Sequence, residues 1–262
     1  MKLGISYNLW NGEELLRPSI LSIRNSVDYI SVVYQDKSNH GNKKDNLEPF
    51  LESLFKDKLI DELSCYNPNL SLNPKTNELI KRNIGLSLSR STECTHHLSI
   101  DVDEFYQKEQ FDRAKEYIEQ NNIKASVCQL QSYYKYPTLQ IIPPEIYYVT
   151  FIFKIVPKIK FIYGTRFPVL VDPSRRLSIF ESFKIFQRKE LEMHHMSYVR
   201  NDIRLKVENA SSYRNFAHKI EELVSHYENF KEGNQAMFAG KHCVYHNLQK
   251  VNNQFNINMK IL

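Results

Sequence analysis

The sequence predicts an α/β chain built on a mixed, mostly parallel sheet flanked by helices. Three observations carry that reading. Short apolar runs alternate with segments of helical spacing. One run, Leu98-Ser99-Ile100, ends abruptly in the carboxylates of Asp101-Val102-Asp103-Glu104. The 262 residues, 42% of them hydrophobic, can bury a sizeable core.

Leu3 to Tyr7 reads as a first strand, and Asn11 with Glu14 three residues later as a capping box for a helix. That helix places Leu15, Leu16, Ile20 and Ile23 on one face, with Pro18 near its start. Tyr29 to Tyr34 is a second strand, closed by the polar run Gln35 to Gly41. Asn46 to Ile60 has helical character, and Tyr66 to Pro74, rich in Asn and Pro, is loop. A helix from Thr76 to about Thr92 leads into the strand that carries Asp101. Phe111, Ala114, Tyr117 and Ile118 mark one face of a further helix. Ala125 to Tyr133 reads as strand, and Tyr147 to Tyr163 as one or two more. Phe216, Ile220, Leu223, Val224 and Tyr227 define an amphipathic helix near the end. No internal repeat or linker appears, so one domain over 1–262 is expected.

The formal net charge of +5 is spread out and contains no long block of like charge. This disfavours a nucleic-acid partner and suits anionic small molecules or an anionic membrane face. Cys65, Cys94, Cys128 and Cys243 form no CxxC pair, and reduced thiols are expected. The N-terminus reads as a strand, not a signal peptide. The apolar stretch Ile146 to Tyr163 is broken by Lys154, Pro157, Lys158 and Lys160 and cannot span a bilayer. A cytoplasmic protein is expected, with peripheral contact at the inner membrane face through Lys154 to Lys160.

The acidic cluster carries the chemistry. In extended backbone Asp101 and Asp103 point to one side and Val102 to the other. Two hard carboxylates at a strand end can address one divalent cation, Mg²⁺ or Mn²⁺, and with it phosphate oxygens. A solvated surface turn is the plainer reading of such a triplet. The pair His242 and His246 has the spacing of a helical zinc pair, without an HExxH glutamate or a CxxC partner.

Taken together, these segments resemble glycosyltransferases of the GT-A fold. The opening Ile5-Ser6-Tyr7-Asn8, Glu13, Ser22-Ile23 and Gln35-Asp36-Lys37-Ser38 is similar to the nucleotide-binding half of family 2-type enzymes. Arg82-Asn83-Ile84-Gly85-Leu86 followed by Leu98 to Phe105 looks like the helix and DxD strand of that group. His195-Met196-Ser197-Tyr198 with Lys206 is similar to a family 17-like β-1,4-N-acetylglucosaminyltransferase pattern, in which His-x-Ser follows the last strand. The resemblance covers about Lys2 to Phe216.

It implies a GT-A-like, Rossmann-related domain. Residues 1–106 would form the nucleotide-sugar and metal half, and 107–262 the acceptor side with the C-terminal helix. It also implies that Asp103 holds a metal on the donor diphosphate and that Asp101 reaches the ribose or the metal. His195 is the candidate third ligand, with His194 competing; Glu104 lies second to these or caps the next helix. Asp36 would accept from the nucleobase, Tyr7 would stack on it, and Asn8 would hold the loop. Arg82 or Lys206 would contact phosphate. Glu181, Glu192 and Asp202 are the available acids for a catalytic base, and no sequence feature selects one. Tyr133, Tyr134, Tyr136, Tyr147 and Tyr148 offer rings for sugar stacking, or core packing.

The activity so implied moves a sugar from a nucleotide-sugar, with UDP favoured as the nucleotide, to a cell-surface glycan or glycolipid acceptor, using Mn²⁺ or Mg²⁺. A metal-dependent phosphohydrolase and a non-catalytic glycan-binding protein are the alternatives. On this reading Asp103→Ala abolishes turnover and leaves the fold intact.

Overall fold

The structure is a computed structural model that describes residues 1–44, 47–163, 169–178, 182–239 and 243–259. The chain begins β1 (Leu3–Leu9), α1 (Glu13–Ile23), β2 (Tyr29–Tyr34), α2 (Leu47–Lys56), β3 (Glu62–Cys65). It continues α3 (Pro74–Ser91), β4 (His96–Asp101), β5 (Glu104–Tyr106), α4 (Lys108–Gln120), β6 (Ala125–Tyr134), β7 (Tyr136–Ile142), β8 (Tyr148–Lys154). It ends β9 (Phe183–Ile185), β10 (Glu192–Tyr198), α5 (Ile203–Glu208), α6 (Ile220–Glu228), β11 (Ala236–Phe238), β12 (Val244–Lys250).

The main strand order is β11-β12-β7-β6-β8-β4-β1-β2-β3. The stretch β3-β2-β1-β4 is entirely parallel. From β8 outward the neighbours along this path are antiparallel. β9 and β10 each run parallel to β6, and β5 pairs antiparallel with β10. This is the mixed, helix-flanked sheet that the sequence predicts. β1 is buried along its whole length, with Gly4, Ser6 and Asn8 alternating with Leu3, Ile5, Tyr7 and Leu9.

Chain order places the functional crevice. The chain builds from β1 outward through β2 to β3, then crosses to the far side of β1 with β4. Strand order therefore reverses between β1 and β4. Open sheets bind ligands outside the carboxyl ends of strands at such a point. Asn8 and Asp101, paired in register, stand at those two ends.

α3 closes this part of the sheet. Its Asn73 cap accepts from the Lys75 N–H, with Pro74 in the first turn. Gly85 lets the helix sit directly on β1. A Cβ there would lie 2.0 Å from Ser6 Oγ and 2.3 Å from Ser6 Cβ.

Several local expectations change. α1 has no capping box: its cap is Gly12, left-handed, with no side-chain cap bond. Glu14 accepts from the Asn201 N–H, because the loop before α5 folds back onto this helix end. Pro18 lies inside α1, on its sixth residue. α2 begins at Leu47, and Asn46 lies outside the described residues. In α4, Phe111, Ala114 and Ile118 are buried, whereas Tyr117 is exposed beside Phe186 and Lys184. The stretch 147–163 holds one strand, β8, within the one or two expected, and an isolated bridge between Phe161 and Leu177. α6 starts at Ile220, and Phe216 belongs to short 3₁₀ turns before it. Tyr133 and Tyr134 are fully buried; Tyr134 packs among Tyr198, Tyr227, Phe230 and Phe238, so neither ring is free to stack on a sugar. His242 lies outside the described residues, and His246 sits on a strand, not on a helix. The four cysteines are free thiols. Among the described residues no helix is long and apolar enough to cross a membrane.

Gly85→Ala forces α3 away from β1. Overpacking of this kind costs about 1–3 kcal/mol, read as a lower urea midpoint. An unchanged midpoint would show that the contact is slack.

Candidate functional site

A cavity of about 340 Å³ opens at the β1–β4 reversal. One side is built from Asn8, Gln35, Ser38, Asn39, Glu78, Lys81, Arg82 and Asp101, which come from β1, α3, the end of β4 and the loop after β2. The other side carries Asp103, His195, Ser197, Tyr198, Arg200 and Lys206, which come from the β4–β5 turn, β10 and α5.

Asp101 is held fast. Its Oδ2 accepts from Arg82 at 2.9 Å and from Arg175 at 2.7 Å, and its Oδ1 from Asn8 Nδ2 at 3.3 Å. Arg82 also donates to Ser99 Oγ at 3.0 Å. Arg175, from a short 3₁₀ turn at Pro173–Arg175, grips both oxygens of Glu104. Burial opposes ionisation of Asp101, yet Arg82 and Arg175 together hold its carboxyl well below its ordinary value.

Asp103 is held by a different set of cations. Arg200 donates to its Oδ2, and Lys206 reaches the same oxygen at 3.1 Å. His195 Nε2 lies 3.8 Å from Oδ1. Burial opposes this ionisation too, and Lys206, Arg200 and His195 overcome it, so Asp103 is a carboxylate at neutral pH. The backbone explains the meeting. His195 pairs in register with Glu104, and the Met196 N–H donates to the Asp103 carbonyl at 2.7 Å.

Alternation along β10 separates the two histidines. His195 lines the cavity. His194 turns the other way into an apolar layer, with its Nδ1 2.9 Å from the Tyr133 hydroxyl. His195 and Ser197 lie within β10 rather than after it.

Arg200 reaches Asp103 past Gly12. A Cβ at Gly12 would lie 1.9 Å from Arg200 Nη1, and the residue's φ of +86° independently favours glycine.

A divalent cation needs hard oxygen or imidazole donors free of other partners. Ligand atoms of Asp103, Glu104 and His195 all lie within 4.8 Å of one another. Glu104 has both oxygens on Arg175, and Asp101 is engaged by Arg82 and Arg175. Asp103 Oδ1 and His195 Nε2 therefore form the open pair. An ion such as Mg²⁺ is often held by one or two carboxylates plus substrate phosphates, so these residues fit. Of the expected ligands Asp101, Asp103 and His195, Asp101 is engaged by Arg82, Arg175 and Asn8, while Asp103 Oδ1 and His195 Nε2 face each other at 3.8 Å.

Other expected site residues fall elsewhere. Tyr7 is fully buried and bonds Ser19 Oγ at 3.1 Å, so it is closed to base stacking. Asp36 is exposed and off the cavity wall; Gln35, Ser38 and Asn39 line it instead. Glu192 is paired with Arg188 away from the cavity. Asp202 caps α5 through the Leu205 N–H at 2.8 Å and faces a separate surface pocket. Glu181 lies outside the described residues. Arg82 lines the cavity, but its terminal nitrogens serve β4. Lys81, Arg175, Arg200 and Glu78 carry no sequence signal, since each matters only through a neighbour brought near by the fold.

No protein-family model and no curated protein matches the chain. Solved structures of similar chain path include S. aureus TarS, at 13% identity over 88% of this chain, TM-score 0.48. TarS 1–349 in complex with UDP aligns at 13% identity over 89% of this chain and 74% of that one, TM-score 0.48. GalNAc-T7 with UDP, GalNAc and Mn²⁺ aligns at 11% identity over 50% of this chain and 23% of that one, TM-score 0.38. The chain spans 44% of the length of the TarS chain.

Two outcomes follow. Arg175→Met strands the Glu104 carboxylate, which is 1% exposed. Stability falls by about 3–5 kcal/mol, and adding Glu104→Gln restores part of it; equal losses in the single and double variants would refute the pairing. The second concerns pH. Burial pushes the imidazoles of His97 and His194 down to about 3 and about 4. The unfolded chain therefore binds more protons between those values and about 6.5, and stability is lost as pH falls through that window. In urea titrations His97→Phe flattens the slope there; an unchanged slope would remove His97 from the account.

Proposed function

We propose that this chain is a GT-A-like glycosyltransferase that takes its sugar from a nucleotide-sugar, with residues 1–262 working as one catalytic unit. The observation that carries the reading is the cavity at the β1–β4 reversal. There the acids of the Asp101-Val102-Asp103 segment meet Lys81, Arg82, Arg200 and Lys206. Four cationic side chains against the three acids Glu78, Asp101 and Asp103 favour an anionic ligand. The pocket is polar enough to hold a sugar as well.

In this reading Lys206 and Arg200 face the diphosphate and stabilise the charge that grows on it as the glycosidic bond breaks. Asp103 orients both cations, and its second oxygen with His195 holds a divalent cation, Mn²⁺ or Mg²⁺. Such an ion, when bound, would supply further charge neutralisation on the leaving group. UDP is the favoured nucleotide and a glycan or glycolipid the favoured acceptor, both on the resemblance of the motifs. Lys158 and Lys160, exposed on the loop after β8, suit peripheral contact with an anionic membrane.

A metal-free variant of this reading also has support. Arg200 and Lys206 already converge on Asp103, and two fixed cations can serve the leaving group without an ion.

Calorimetric titration of UDP and GDP, with Mn²⁺ and with EDTA, tests both forms. Asp103→Ala is a poor control because it strips the buried Arg200 of its carboxylate; Asp103→Asn keeps a hydrogen-bond acceptor. Binding that needs Mn²⁺ and is lost in Asp103→Asn supports the metal form, with His195→Ala weakening Mn²⁺ affinity. Binding that survives EDTA and is lost in Lys206→Ala supports the metal-free form. In either form Lys206→Ala lowers turnover by about 10²–10³-fold. Failure of both nucleotides to bind would sink the transferase and leave the phosphohydrolase or glycan-binding readings.

A further inference from the structure

One carboxylate in the cavity is unaccounted for. Glu78 lies on α3 one turn before Arg82, on the same helix face, and lines the cavity. Among the described residues it makes no hydrogen bond or ion pair. The other two cavity acids are both held, Asp101 by Arg82, Arg175 and Asn8, and Asp103 by Arg200 and Lys206. Both oxygens of Glu78 are thus left for a ligand.

Its surroundings say which part of a ligand comes here. Two nearby wall residues, Asn8 and Gln35, have buried carbonyl oxygens, Asn8 Oδ1 and Gln35 Oε1, with no partner. A carboxylate free of hydrogen bonds in a cavity wall calls for a ligand group rich in O–H or N–H donors. A phosphate has none at neutral pH, and an unpaired carboxylate repels it. Lys81, the cation nearest in sequence on α3, is offset by Glu78 itself, whereas Arg200 and Lys206 lie on other elements, so the phosphates are assigned to the Arg200–Lys206 side and the nucleoside to the α3 side. The densest pair of donors on a nucleoside is the ribose cis-diol, and an acidic side chain is a common partner for it.

We propose that Glu78 reads the ribose, its carboxylate accepting from the 2′- and 3′-hydroxyls of the donor nucleoside. Glu78 takes that task instead of Asp101, whose Oδ2 is held by Arg82 and Arg175 and whose Oδ1 is met by Asn8. The proposal rests on the nucleotide-sugar reading above.

The test titrates the diphosphate that binds, UDP or GDP, and its 2′-deoxy form into wild type, Glu78→Gln and Glu78→Ala. Wild type binds the ribo form about tenfold more tightly than the deoxy form, the loss expected for one hydrogen bond to a charged acceptor. Glu78→Ala binds the ribo form about tenfold more weakly or worse and no longer separates the two sugars; Glu78→Gln, which keeps one carbonyl, falls between. Urea titration of each variant checks that it remains folded, which separates a lost ligand contact from a lost fold.

Three results would overturn the proposal. Wild type binds both sugars equally. Glu78→Ala keeps the full discrimination. Glu78→Gln binds the ribo form normally and loses turnover, which would place the carboxylate on the acceptor hydroxyl instead. A wild type that binds neither nucleotide removes the nucleotide-sugar reading itself, a failure distinguished by appearing before any variant is made.

Discussion

Everything at this site depends on keeping Asp101 and Asp103 ionised against the cost of burial. Asp103 and Glu104 are almost fully removed from solvent, and Asp101 ends a strand beside them. Such groups are tolerated only when opposite charge and hydrogen bonds replace the lost water. Arg175 and Arg82 do this for Asp101, Arg175 for Glu104, and Arg200 with Lys206 for Asp103. Each cation is delivered by a different part of the chain. Arg82 comes from the helix before the acids, Arg175 from a turn seventy residues on, and Arg200 and Lys206 from the region after β10.

This arrangement gives the acids different work. Glu104, with both oxygens on Arg175, and Asp101, held by Arg82, Arg175 and Asn8, fix the turn between β4 and β5. Asp103 keeps one oxygen toward His195; of its cations Arg200 is buried and Lys206 is partly exposed. A motif that reads as two equivalent metal ligands is therefore divided, because the arginines are distributed unequally around it.

The parallel part of the fold was legible because burial on both faces leaves a plain mark. Leu3 to Leu9, Tyr29 to Tyr34 and the run into Asp101 are rich in apolar residues where helices cover the sheet. Asp103 and His195 stand out in the sequence as candidates, and the fold brings them to 3.8 Å of each other. Arg175 and Arg200 do not stand out, since an arginine in a loop looks the same whether it is solvated or buried against a carboxylate. Tyr7 and Asp36 were misplaced for a related reason: a strand end is visible in sequence, but which neighbouring residue faces the crevice is set by the twist and by helix packing. The capping box at Asn11 failed because Gly12 must make room for Arg200, a demand from residue 200 that no local pattern records.

The pairing of β10 with β5 has a kinetic meaning. Asp103 and Glu104 meet His195 and Arg200 across more than ninety residues of chain, and β10 must also find its parallel place on β6. Closing loops of that length is slow, and contacts so remote in sequence form late. A nascent chain that has emerged only as far as β5 has Arg82 for Asp101 but lacks Arg175 for Glu104 and Arg200 and Lys206 for Asp103. The pocket is completed only when the chain beyond β10 has docked.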